Sequence, residues 1–266
     1  MKSLNQYIKE KLIINKDYRD TAIVVKSFDE LRKIIEDRYD KFGAGTKQNP
    51  INFNDIDVSN IISFCNDNDK GIFENTYFKY IDISSWDVSN IKSMRHMFFE
   101  CDELKSVGDL SDWDVSELTN MSSMFLACEQ LESIGDISKW DVSEVTNMSY
   151  MFWYCKSLNK NLSDWDVSSV TNMGHMFEGC VDFNQNISGW DVKKVTNMRY
   201  MFAGCKYFNQ DIYKWDVSSV KDMTFMFDFC NSFNQDISKW NVSNVRHHDY
   251  MFEKCPIKEE YKPKFK

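Results

Sequence analysis

Polar and apolar positions along the chain recur with a period of 25 to 27 residues. Tryptophan marks the period at 86, 113, 140, 165, 190, 215 and 240. Fifteen residues after each comes a cysteine, at 101, 128, 155, 180, 205, 230 and 255. A Met-Phe pair, as in Met97-Phe98 and Met226-Phe227, stands between the two every time. With Trp at position 0, the unit reads D-I-S-x-W-D-V-S-x-V-T-N-M-x-x-M-F-x-x-C-x-x-F-N, and Asp211 to Asn234 shows it well. Apolar residues at +8, +11, +12 and +15 follow the i, i+3, i+4, i+7 spacing of one helix face. The Ser at +3 and Thr at +6 offer oxygens to cap its start. Positions −4 to +2 suit a short extended segment. Each unit therefore predicts one short strand and one short helical turn.

Such a unit cannot bury its apolar face alone, whereas stacking on copies of itself does so. The expected fold class is an α/β repeat solenoid of seven coils over 82–255, with ladders of Trp, Met, Phe, Val and Cys inside. Residues 56–65 echo the unit without its Trp or Met-Phe, so 51–81 reads as a degenerate first repeat, as terminal copies often are. Before it, Leu4, Tyr7, Ile8 and Leu12 space as an amphipathic helix, and 21–25 as a short strand. Ser27-Phe28-Asp29-Glu30 is a capping box opening a second helix whose apolar side is Phe28, Leu31, Ile34, Ile35 and Tyr39. Residues 1–50 thus read as a helical N-terminal cap. Residues 256–266 read as a polar, solvated tail.

The first two units are longer and run C-x-x-L-x-x-I-G-D-I (Cys128, Leu131, Ile134, Ile137). This run, with the W-D-V-S-x-V-T-N-M-x-x-M-F-x-x-C unit, resembles the BspA-like leucine-rich-repeat surface proteins. The closer likeness is to their 25-residue subclass, found in mycoplasma surface lipoproteins and gut Bacteroidetes. The resemblance covers about residues 51–255. It implies a leucine-rich-repeat-like solenoid, a role in adhesion or protein binding, a place on a cell surface or virion, and no catalytic residues.

Composition narrows the rest. An aromatic share of 15% and a hydrophobic share of 42% supply enough apolar surface to exclude disorder. The net charge of −9, with no basic stripe, excludes a nucleic-acid partner. Polar residues from Asn5 to Lys11 leave no room for a signal-peptide core, and no apolar run is long enough to span a bilayer. The chain as written is therefore expected in the cytoplasm.

The repeating cysteines lack the close C-x-x-C pairs that zinc sites favour. Disulfides between coils would need parallel side chains to twist together. Reduced, buried thiols are the expectation, with Cys65 out of register. Aspartates at +1 and −4 can be satisfied by Asx-turns. A calcium-bound stack is the alternative, but it would want a Gly-rich turn, and the chain has nine Gly. Asn at +7 reads as an amide ladder holding a turn. No metal or cofactor is expected, and no enzyme. His96, His175, His247 and His248 occupy unrelated surroundings in the sequence, and Gly43–Gly45 lacks the rest of a phosphate loop.

The variable positions carry the functional expectation. Position +10 holds His96, Ser123, Tyr150, His175, Tyr200, Phe225 and Tyr250, while +13 and +14 add Phe99, Trp153, Tyr154 and Phe229. On a helix, +10 would point away from +8 and +12 and into solvent. An exposed aromatic stripe there predicts a binding surface; lateral packing of the rings between coils is the competing reading. The expected function is non-catalytic binding of a protein or glycan partner. The alternative is a structural component of a phage-like particle or a self-associating array.

Overall fold

The structure is a computed structural model that describes residues 22–266; the helix expected around Leu4 to Leu12 lies outside them. Regular secondary structure is scarce among the described residues. Strand β1 (Ile23–Val24) pairs in parallel with β3 (Ile56–Asp57), and β2 (Ile51–Asn52) with β4 (Ile81–Asp82). Helix α1 spans Phe28–Phe42. It begins where the capping box predicts: the Glu30 N–H donates to Ser27 Oγ (3.2 Å), and Glu30 Oε2 reaches back to the Lys26 N–H (2.7 Å). It buries Leu31 and Ile35, and Tyr39 meets Phe78 edge-on at 5.1 Å. Arg38 grips Asp55 with two hydrogen bonds (2.8 and 2.7 Å).

From Ser63 onward, successive units lie parallel and in register. One file of bridges runs Ser63, Ser93, Asn120, Asn147, Asn172, Asn197, Asp222, His247, always at +7. Regular spacing becomes stacked side chains. Phe152, Phe177 and Phe202 are fully buried and lie face to face at 6.0 and 5.8 Å. Trp140 and Trp165 stack at 6.4 Å. The ladders are also hydrogen-bonded. Trp165 Nε1 donates to the Ile137 carbonyl of the preceding coil (2.9 Å), and Cys155 Sγ to that of Phe125 (3.2 Å). All eight cysteines are free. A buried thiol and a buried indole N–H thus each find an acceptor that only a neighbouring copy in the same register supplies.

The expected helical turn is not formed. Residues +8 to +15 make consecutive tight turns instead: Met151, Trp153 and Cys155 N–H groups donate to the carbonyls of Met148, Tyr150 and Phe152 (3.2, 3.2 and 2.9 Å). The intervening N–H groups of Met148, Tyr150, Phe152 and Tyr154 leave the coil and donate to Asn172, Gly174, Met176 and Glu178 of the next (3.0, 3.0, 3.0 and 2.7 Å). An α-helix would spend every N–H on its own carbonyls four residues back. Here half of them tie one coil to another, which is why the apolar spacing is kept while the helix is not. The extended segment at −4 to +2 is also shorter than expected, since strand β4 covers only Ile81–Asp82 and later bridges fall outside that segment, at +7 and at Ser106 and Ser133.

The polar residues act as the Asx-turn reading expects. Asp141 Oδ1 accepts from the N–H and hydroxyl of Ser143 (3.1 and 2.6 Å), and Asn147 Oδ1 does the same for Ser149 (3.0 and 2.8 Å). Hydrogen bonds from Ser116 and Ser168 hold the carboxyls of Asp114 and Asp166 below the usual range. An amide-to-amide bond joins Asn197 to Asn172 (2.9 Å).

The C-terminal segment is not simply a solvated tail. Glu259–Tyr261 forms a 3-10 turn, and the Ile237 N–H donates to the Tyr261 carbonyl (3.0 Å). Pro263 is buried, and Phe265 stacks on His248 at 3.9 Å. This segment covers the apolar face of the coil that ends at Cys255.

Candidate aromatic binding face

The turns fix what +10 and +14 can do. At +10, His96, Ser123, Tyr150, His175, Tyr200, Phe225 and Tyr250 all have φ between 54° and 62°. That is the left-handed conformation required at the third residue of a type II turn, where glycine is usual. Position +14 is left-handed too: Tyr154, Gly179, Gly204 and Phe229 have φ of 57°, 73°, 75° and 54°. No β-branched residue occupies either position, as that conformation demands.

The side chains at +10 form one file. Tyr150, His175, Tyr200, Phe225 and Tyr250 stack in sequence at 4.2, 4.8, 4.6 and 4.9 Å, with planes within 17° of parallel. Lateral packing and exposure therefore coexist. Tyr150 and Tyr250 are exposed, and His175, Tyr200 and Phe225 are half-buried between neighbours. Arg199 adds a guanidinium over the Tyr200 ring at 5.1 Å. The file stops at Ser123, which is buried. His96 thus stands apart, paired with Phe99 at 4.9 Å.

Beside the file runs a groove of about 510 Å³. Tyr154 and Phe229 wall it at its two ends, and Gly179 and Gly204 form the gap between them. The Tyr154 ring leans over Gly179 so closely that a Cβ there would lie 2.9 Å from it. Trp153 packs against Tyr154 at 4.4 Å, and the Lys254 ammonium sits 4.0 Å from the Phe229 ring. Glu178 holds His175 Nδ1 at 2.6 Å. Asp228 Oδ1 is buried without a hydrogen-bond partner, and burial, then the charge of Glu253, raises its carboxyl above the usual range. Sequence reasoning missed Glu178, Asp228 and the two glycines. The available signal was Gly at a position that elsewhere carries a large side chain.

A separate group gathers near the start of the stack. Ligating atoms of Cys65, Asp69 and His96 all lie within 4.8 Å of one another. The structure therefore draws His96 away from the aromatic file and toward the one cysteine outside the repeat register.

The sequence model of a family described as "Mycoplasma protein of unknown function, DUF285" matches twice, over residues 67–186 and 155–262. The chain belongs to this family. The two tandem matches to DUF285 agree with a repeat-built protein of mycoplasma type. No curated protein matches the chain. Among the described residues of this DUF285 protein, no helix is long and apolar enough to cross a membrane.

Proposed function

We propose that this DUF285 chain is a leucine-rich-repeat-like solenoid acting as a non-catalytic binding protein, which captures a protein or glycan on its aromatic face in an adhesive role at a cell surface. The observation that carries the reading is the file Tyr150–His175–Tyr200–Phe225–Tyr250. Bulky rings occupy left-handed positions that favour glycine, and backbone strain of this kind concentrates at functional positions. Together the rings present a partly exposed aromatic strip, the surface type enriched in recognition sites. The adjoining groove adds carboxylates and lysines to orient a partner. The segment folded over the last coil weighs against end-to-end assembly.

The test compares the full chain with a Tyr150→Ala/Tyr200→Ala/Phe225→Ala variant on glycan arrays and on immobilised host-surface proteins. Capture by the parent chain and its loss in the variant, with the thermal transition kept, supports the reading. Equal capture by both rejects this face.

A further inference from the structure

We infer that Cys65, Asp69 and His96 form a zinc site with one coordination position open to water. A thiolate, a carboxylate and an imidazole make a ligand set that suits zinc and does not suit calcium or magnesium. The distances fit. Cys65 Sγ lies 3.6 Å from Asp69 Oδ1, and tetrahedral bonds of about 2.3 Å to sulfur and about 2.0 Å to oxygen would separate these atoms by about 3.5 Å. A thiolate and a carboxylate would also neutralise the divalent charge.

The surroundings hold these groups in place. Asp69 Oδ2 is engaged by Arg95 Nη2 at 2.6 Å, which leaves Oδ1 turned to the thiol. The His96 ring is tethered through Nδ1 to the Asp69 carbonyl at 2.8 Å, the kind of second contact that orients metal-binding histidines. The loop from Cys65 to Gly71 is closed by an antiparallel bridge between its ends. Asn66 Oδ1 braces it by accepting from the N–H groups of Asn68 and Lys70, both at 3.0 Å. The loop meets His96 only because Gly71 has no side chain: a Cβ there would lie 1.6 Å from the His96 carbonyl oxygen. The three ligands thus come from a preformed loop and an adjacent coil. This accounts for the cysteine that breaks the 25-residue pattern.

The experiment is a cobalt(II) titration of the reduced full-length chain, followed by zinc competition against a chromophoric chelator. One equivalent of cobalt should give a near-ultraviolet thiolate charge-transfer band and the visible bands of a tetrahedral ion. Cys65→Ser and His96→Ala should abolish the band or weaken zinc binding by about tenfold or more. Asp69→Asn, which keeps the size of the side chain, should weaken binding similarly. Cys255→Ser, which removes the other incompletely buried thiol, should change nothing. Absence of the band in the parent chain, or its persistence in Cys65→Ser, overturns the assignment.

Discussion

The imidazole of His175 lies face to face with the phenol ring of Tyr150, centroids 4.2 Å apart and planes within 8°. Both residues are left-handed, with φ of 62° and 58°, and the same is true of Tyr200 between His175 and Phe225. The turn fixes the backbone and the stack fixes the ring. Tyr200→Gly and Tyr200→Ala remove the same stacking, but only glycine relieves the backbone. The left-handed penalty is about 1–2 kcal/mol, and glycine's extra freedom in the unfolded chain offsets about 0.4–1 kcal/mol of its relief. Denaturant titration should therefore find the glycine variant more stable than the alanine variant by about 0.5–1 kcal/mol.

The buried ladder behaves in the opposite way. Phe177 is fully buried between Phe152 and Phe202 and touches Phe183 at 4.1 Å. Phe177→Ala should cost about 3–5 kcal/mol, read from the denaturation midpoint. A change near zero would mean that the ladder closes over the gap.

The cysteines make the fold sensitive to alkali. Burial pushes the Cys101 thiol up from 9.0 to about 12, and those of Cys128, Cys180, Cys205 and Cys230 well above their ordinary value. Above pH 9 the unfolded chain gives up these protons while the folded chain keeps them. Stability must therefore fall as pH rises, by up to about 1.4 kcal/mol per pH unit for each such thiol. Unfolding midpoints measured from pH 7 to 10.5 should drop steeply above 9, and Cys180→Ala should flatten the slope. At pH 8, a thiol reagent should attack Cys65 and Cys255, each raised to about 11, before any cysteine of the buried file.

Periodic Trp, Met-Phe and Cys marks made the stacking and the buried ladders legible in the sequence, and the capping box located helix α1. The turns were not legible from apolar spacing, because eight residues of i, i+3, i+4, i+7 pattern fit three consecutive turns as well as a helical one. What separates the two is the destination of alternate N–H groups, which depends on a neighbouring coil. The left-handed sites left faint traces: Gly179 and Gly204 at +14, and no Val, Ile or Thr at +10. The grouping of Cys65 with His96 could not be read at all, since it depends on how the loop ending at Gly71 folds back. The lysines of the tail mask its packing, which Ile257, Pro263 and Phe265 carry.

Constant register sets a rule for deletions. Removing Trp190 to Lys214 takes out one whole 25-residue unit and joins partners of the same kind, so a shorter folded protein should result. Removing half that length mismatches every ladder beyond the cut. Circular dichroism and size-exclusion chromatography should show a cooperative fold for the first and none for the second.

The N–H groups at +8, +10, +12 and +14 all point toward the following coil, as in Met173, His175, Phe177 and Gly179 donating to Asn197, Arg199, Met201 and Ala203. Their peptide dipoles therefore add along this row, much as they do in a helix. The row has an electrical polarity, positive toward the last coil and negative toward the first. At the negative end the Arg32 guanidinium already sits, donating to the outward carbonyls of Ile72 and Glu74 (2.9 and 3.2 Å). The fold thus sets a cation where the row's outward carbonyls gather, which is the pairing that such a polarity favours.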